Sequence, residues 1–143
     1  MRGVIQELSQ ALQRANRVPD FASVYDAALK REQVVSTDME AGMAFPHARL
    51  AGLKELSFAL GRSDEQLAWG QKGIPSVRLV FLLAVPATDS AQYLPLISGL
   101  ARLSREKALV EKLLAAPDER EMLELLQRIE LRIKSAPKPL PAA

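Results

Sequence analysis

Apolar residues at the start of the chain recur every three or four positions, which is the spacing of one helix face. A first amphipathic helix, predicted to end near Asn16, is defined by Val4, Ile5, Leu8, Ala11, Leu12 and Ala15. A second helix is predicted over "FASVYDAALKRE", with Asp20 as its N-cap. This interpretation places Arg31 and Glu32 at the C-terminal end of the second helix.

Two segments in the middle of the chain have the patterns of β-strands. Apolar and polar residues alternate in "LKELSFALGRS", which predicts a strand with one buried face. The stretch from Leu79 to Val85 is continuously apolar, which is typical of a central strand covered on both faces. Pro46 disfavours helix in the residue before it, so His47 is expected on an extended segment.

Helical spacing returns after Pro86. Asp89 and Gln92 form a predicted capping pair for a third helix, and Pro95 is expected either to distort its first turn or to delay its start. Two further helices are predicted over "REKALVEKLLAA" and "EREMLELLQRIELRI", the latter capped by Asp118. The closing segment "SAPKPLPAA" is rich in proline and is expected to be disordered.

This order of elements predicts an α/β protein, a three-layer sandwich whose central mixed β-sheet is flanked by helices on both faces. The 143 residues suffice for one compact domain, which we assign to residues 1–134, with residues 135–143 as a disordered Pro-rich tail. The sequence shows neither a signal peptide nor an apolar run near the ~20 residues that cross a bilayer. We therefore expect a cytoplasmic protein without direct membrane insertion.

Composition narrows the chemistry that the chain can carry. The net charge is +2 and the basic residues are dispersed, so we expect no nucleic-acid partner. The absence of cysteine excludes disulfides, thiolate nucleophiles and sulfur metal sites, and a single histidine excludes a multi-histidine metal site within one chain. G-x-S-x-G and glycine-rich phosphate-binding motifs are absent as well. We expect neither a metal nor a cofactor.

His47 is the only histidine, in the segment "FPHAR". A neutral imidazole can act as base, ligand or nucleophile near neutral pH, and a backbone carbonyl is expected to hold its second nitrogen as N–H. Covalent catalysis of phosphoryl transfer by this ring would need nearby cations, which Arg31 and Arg49 can supply. Ser36 and Thr37, in the intervening loop, can add hydroxyl donors.

Each of these residues also has an ordinary structural interpretation. A lone histidine is often a surface or hydrogen-bonded structural residue. Arg31 can complement the helix dipole, and Arg49 can be a solvated surface residue. Ser36 and Thr37 can cap or turn a loop. Both interpretations stay open when the residues are considered alone.

The segments "ALKREQVVSTDMEAGMAFPHAR", "VRLVFLLAVP" and "YLPLISGLARL" together resemble one family. It is the fructose- and mannitol-type enzyme IIA domain of the bacterial phosphoenolpyruvate-dependent sugar phosphotransferase system, which includes a nitrogen-regulatory branch. The resemblance covers about residues 4–126 and rests on the "RE" pair, the "ST" of the loop, the G-x-A-x-P-H segment and the order of elements. It implies that His47 accepts a phosphoryl group from the phosphocarrier protein HPr and passes it to a IIB domain. The active-site arginine of the family falls on Arg31.

The sequence departs from the family pattern at two places. A loop that reads T-G-I-G-x-G in many members reads "TDMEAG" here, with Asp38 and Glu40 replacing two glycines. Such carboxylates oppose a nearby phosphoryl group unless they point outward. A second histidine found in many members falls on Tyr93, which can donate one hydrogen bond but supplies no positive charge at neutral pH. Tyr93 can also be simply the first residue of an apolar helix face.

Three functions follow from these observations. The first is a phosphocarrier in sugar uptake, in which Arg49, Ser36 and Thr37 assist and the partners are an HPr-like donor and a IIB-like acceptor. The second is a regulatory module, of nitrogen-regulatory or transporter-regulating type, that binds a target protein according to its phosphorylation. The third is a relative that is not phosphorylated, as its altered loop and Tyr93 would suggest.

Overall fold

The computed structural model describes residues 1–34, 36–39, 42–70, 73–88 and 93–135, and the chain divides into two compact units. The described part of the first unit, Met1–Ser90, contains α1 (Arg2–Arg14), α2 (Phe21–Val34), β1 (Asp38–Met39), β2 (Met43–Ala44), β3 (His47–Leu50), β4 (Ser57–Trp69) and β5 (Ile74–Pro86). That of the second unit, Ala91–Ala143, contains α3 (Tyr93–Arg105), α4 (Lys107–Ala115) and α5 (Glu119–Ser135).

Polar side chains at the helix boundaries determine where the helices begin and end. Asp20 caps α2, because its carboxylate accepts hydrogen bonds from the Ser23 backbone N–H at 2.7 Å and the Ser23 hydroxyl at 3.0 Å. Asp118 caps α5 by accepting from the Glu121 backbone N–H at 3.0 Å. Both predicted N-caps are confirmed. Helix α1 ends just before Asn16, whose left-handed backbone, with φ of 57°, terminates a helix.

Strand β5 is the centre of a mixed sheet. Strand β4 runs antiparallel along one edge of β5, β2 and β3 run parallel along the other, and β1 pairs antiparallel with β2. The side chains from Leu79 to Val85 are all buried, which confirms the predicted central strand. Val80, Leu82 and Ala84 belong to the same core as the buried faces of α1 and α2.

Phe81 projects from the other face of β5 and is fully buried. Its ring lies against Phe45, with 5.6 Å between the ring centroids, and against Phe58, with 5.9 Å between them. Tilted aromatic pairs at such separations add to the free energy gained from burying their area. This cluster therefore links β4 and β5 to the segment that precedes β3.

The second unit is helical in its described residues. Helix α3 begins at Tyr93, so Pro95 falls in its first turn, where a backbone N–H has no partner one turn back and the missing donor is tolerated. The predicted capping pair, Asp89 and Gln92, lies outside the described residues, as do residues 136–143 of the predicted tail. Among the described helices, none has the length and apolar character needed to span a bilayer.

We expect Phe81→Ala to lower the free energy of unfolding by about 3–5 kcal/mol, because it removes a fully buried ring and leaves a cavity. Chemical denaturation followed by circular dichroism measures this change. Leu123→Ala is the control, since that side chain is 59% exposed and its loss should change stability by less than about 0.5 kcal/mol. Equal stability of the two variants would contradict the described packing.

Candidate active site around His47

His47 enters the sheet directly after a break made by proline. Strands β2 and β3 lie along the same edge of β5 in one register, which places His47 opposite Leu83. Pro46 lies between the two short strands and has no N–H to donate, but its carbonyl accepts the Leu83 N–H at 2.9 Å. The backbone is thus held in register on both sides of the break. His47 is the first residue of β3, on the extended segment that the sequence predicts.

The imidazole of His47 is held by the backbone two residues earlier. Its Nδ1 lies 3.2 Å from the Phe45 carbonyl oxygen, and only 7% of the residue is exposed. A carbonyl can only accept a hydrogen bond, so Nδ1 carries the proton and the neutral ring has its lone pair on Nε2. The predicted contact between a ring nitrogen of His47 and a backbone carbonyl is confirmed.

The pKa of His47 is lowered from its ordinary value of 6.5. Burial is the largest cause, because it disfavours the charged ring. The hydrogen bond to the Phe45 carbonyl opposes this shift, and so does the negative charge of Glu32, whereas the positive charges of Arg31 and Arg49 lower the pKa further. The ring is therefore mainly neutral at pH 7.

The two arginines reach His47 from different elements. Arg31 lies in the last turn of α2, which packs against β3, and Arg49 lies on β3 itself. Both are exposed, and each acts electrostatically on the imidazole, Arg31 more strongly than Arg49. The structure thus brings together the predicted nucleophile and both predicted guanidinium groups.

The hydroxyl groups of Ser36 and Thr37 are directed towards carboxylates in this structure. Ser36 Oγ lies 2.5 Å from an oxygen of Asp38 and 3.4 Å from one of Glu32. Thr37 donates both its backbone N–H, at 2.6 Å, and its hydroxyl, at 2.9–3.0 Å, to Glu32, and its hydroxyl oxygen accepts the Phe45 N–H at 3.0 Å. Their role as donors to a phosphoryl group stays a prediction.

Glu32 is the residue of this site whose role the sequence analysis missed. It is 3% exposed, and besides Thr37 it accepts the indole N–H of Trp69 at 2.7 Å. The "RE" pair just before an "ST" loop was a usable signal, because a carboxylate at a helix end can accept from hydroxyls four or five residues on. The pairing with Trp69, 37 residues away, had no signal in the sequence.

The departures from the family pattern lie partly outside the described residues. Asp38 is exposed and accepts the Ser36 hydroxyl, whereas Glu40 is not described. Tyr93 is the first residue of α3, in the second unit, and it is half-buried. Its hydrogen bond to a phosphoryl group stays a prediction.

Known proteins are similar to this chain over most of its length. The family described as phosphoenolpyruvate-dependent sugar phosphotransferase system, EIIA 2, matches residues 1–129. A fructose-specific EIIA component of that system from Haloferax volcanii is 28% identical over 127 residues, which are 89% of this chain and 82% of the relative. Two further relatives are longer proteins, of which this chain spans 16% and 20%.

Solved structures share the fold. The nitrogen regulatory protein IIA-Ntr from Neisseria meningitidis has a TM-score of 0.77 and 29% identity, and the match covers 87% of this chain and 85% of that one. The enzyme IIAMTL in a complex with phosphorylated enzyme IIBMTL from Escherichia coli has a TM-score of 0.71 and 19% identity, covering 88% and 86%. These matches confirm the predicted α/β fold class. The chain therefore belongs to the EIIA 2 family of the phosphoenolpyruvate-dependent sugar phosphotransferase system, whose components are phosphocarrier domains.

Proposed function

We propose that His47 is the phosphorylated residue of this EIIA domain, accepting a phosphoryl group from an HPr-type phosphocarrier and passing it to a IIB-type acceptor in the cytoplasm. The observation that carries the proposal is the hydrogen bond between Nδ1 and the Phe45 carbonyl. It leaves the lone pair on Nε2, the nitrogen that must attack phosphorus.

The same hydrogen bond serves both directions of transfer. When Nε2 attacks, the bond from phosphorus to the donor nitrogen breaks, a bond from phosphorus to Nε2 forms, and the ring gains positive charge while Nδ1 keeps its proton. When the group leaves, the electron pair returns to Nε2 and the ring is neutral again. No proton has to move, and the Phe45 carbonyl stabilises the ring while it is charged.

The arginines stabilise the group in transit. Phosphoryl transfer spreads negative charge over three equatorial oxygens, and a guanidinium group can bind two of them at once. We assign to Arg31 the larger share of this charge stabilisation, because its charge acts more strongly on His47 than that of Arg49 does. Ser36 and Thr37 contribute donors to the phosphoryl group if their hydroxyls turn from the carboxylates.

A regulatory role is the second candidate. The nitrogen-regulatory IIA-Ntr structure matches this chain with a higher identity and TM-score than the IIAMTL structure does. In this alternative the phosphoryl group on His47 changes which target protein is bound, and transfer to a IIB domain is not the output.

Incubation with phosphoenolpyruvate, enzyme I and HPr should put acid-labile phosphate on the wild-type protein and none on His47→Gln. Leu123→Ala, altered at an exposed position, is the control and should be labelled like the wild type. Label retained on His47→Gln would refute the assignment. Addition of a purified IIB domain then separates the two roles, since label moves to IIB in the transport role and stays on the chain in the regulatory one.

Arg31→Ala should slow phosphorylation at saturating HPr by about 10²–10³-fold, the usual cost of losing one charge-stabilising donor. The rate for Arg31→Lys should fall between those of Arg31→Ala and the wild type, because lysine keeps the positive charge but lacks the planar guanidinium group. Lys30→Ala is the matched control, an exposed cation one residue away on α2. Quench-flow measurement of label uptake gives the rates. Equal rates for Arg31→Ala and Lys30→Ala would remove Arg31 from the mechanism.

The single histidine resonance should titrate with a midpoint below 6.5, because burial lowers the pKa of His47. Arg31→Ala should raise that midpoint, since the positive charge of Arg31 is one of the causes that lower it. The neutral ring is the nucleophile, so phosphorylation should be independent of pH above the midpoint and should fall as pH decreases through it. Proton NMR of the imidazole measures the midpoint, and a value above 6.5 would contradict the description of the site.

A further inference from the structure

Glu32 carries a carboxylate at a buried position, where packing alone would favour an apolar side chain. Burying a charged group is costly unless it is hydrogen-bonded, and an apolar side chain at this position would avoid the cost. Glu32 is nevertheless 3% exposed, on the side of α2 that packs against the sheet of the first unit. Its oxygens accept hydrogen bonds from Thr37 and from Trp69, so the carboxylate acts as an acceptor in each of these bonds.

A continuous path of hydrogen bonds connects Glu32 to the imidazole. Thr37 gives its hydroxyl proton to Glu32 and receives the Phe45 N–H on the same oxygen, at 3.0 Å. Phe45 in turn accepts the Nδ1 proton of His47 on its carbonyl, at 3.2 Å. Pro46, which follows, restricts the backbone of Phe45 to extended conformations. The orientation of the accepting carbonyl therefore depends on both neighbours of Phe45: Pro46 covalently and Thr37 by hydrogen bonding.

Trp69 fixes the carboxylate from the other side. Its indole lies at the end of β4, is 3% exposed and gives its N–H to Glu32 Oε1 at 2.7 Å. The turn after Trp69 lies close to the loop that contains Ser36. A Cβ atom built on Gly70, whose φ is +78°, would lie 3.2 Å from Ser36 Oγ. Helix α2, the loop that follows it and the end of β4 thus meet at one carboxylate.

We propose that Glu32 is a positioning residue for His47 and that Trp69 anchors it. Glu32 acts through the Thr37 hydroxyl and the Phe45 backbone, and so maintains the Nδ1–H tautomer with the lone pair on Nε2. This inference rests on the proposed function, because the tautomer matters only if Nε2 receives the phosphoryl group. Thr37 is then a positioning residue as well, even if it makes no contact with phosphate.

The decisive variant is Thr37→Val, which keeps the shape of the side chain and removes the hydroxyl that joins Glu32 to Phe45. Nitrogen-15 NMR of the single histidine in the unphosphorylated protein should show the Nδ1–H form in the wild type and a growing fraction of the Nε2–H form in Thr37→Val. Thr37→Ser should restore the wild-type spectrum. The rate of phosphorylation at saturating HPr should fall about 10–100-fold in Thr37→Val, with a smaller change in KM for HPr.

The matched control for the tautomer is Thr88→Val, the same substitution at an exposed threonine outside the site, and it should keep the wild-type Nδ1–H form. Glu32→Gln and Trp69→Phe should shift the tautomer in the same direction as Thr37→Val. The single indole N–H resonance should keep its wild-type position in Thr37→Val, which shows that Glu32 and Trp69 remain paired. An unchanged Nδ1–H form in both Thr37→Val and Glu32→Gln would overturn the inference. A tautomer shift in a protein that HPr never labels would instead refute the proposed function and leave the positioning network standing.

Discussion

The hydrogen bond from His47 to the carbonyl of Phe45 is the interaction on which the proposed chemistry of this domain depends. An imidazole has two nitrogens, and without a fixed partner either can carry the proton. A backbone carbonyl can only accept a hydrogen bond, because it has no donor form and no titration of its own. The nitrogen proposed to attack phosphorus is thereby specified by backbone geometry, which depends in turn on the groups that hold the Phe45 backbone in place.

Burial and charge act in opposite directions on this ring, and the balance suits a carrier. Burial of His47 disfavours the charged ring, which keeps the imidazole mainly neutral near pH 7. The Phe45 carbonyl and the nearby Glu32 favour the charged ring, which limits the cost of holding a phosphoryl group. If burial alone acted, the charged ring formed on phosphorylation would be too costly. If the favourable contacts alone acted, the free ring would be protonated and could not attack phosphorus. Arg31 and Arg49 are exposed, so their positive charge lies at the protein surface beside His47, where a partner protein can reach it.

The features that could be predicted from the sequence are those encoded within a few residues. Asp20 and Asp118 were identified as N-caps because a cap acts on amides three residues away, and the apolar run of β5 identified the central strand without further context. His47 was chosen as the candidate functional residue because it is the only imidazole and follows Pro46. The role of Glu32 was not predicted, because its indole partner belongs to a strand 37 residues away. The direction of a hydroxyl such as that of Thr37 is equally hard to predict, since it rotates towards whichever acceptor folding brings near.

His47 and Arg49 lie two residues apart on β3, and this spacing determines the side of the sheet to which each side chain projects. Successive side chains of a strand alternate between its two sides, so the imidazole and the guanidinium group of Arg49 project to the same side, with the buried Ala48 facing away between them. An insertion or deletion of one residue within this triplet would send the arginine to the opposite side of the sheet, even though the composition of the segment would hardly change. The number of residues between the two groups is therefore as much a part of the site as their identities.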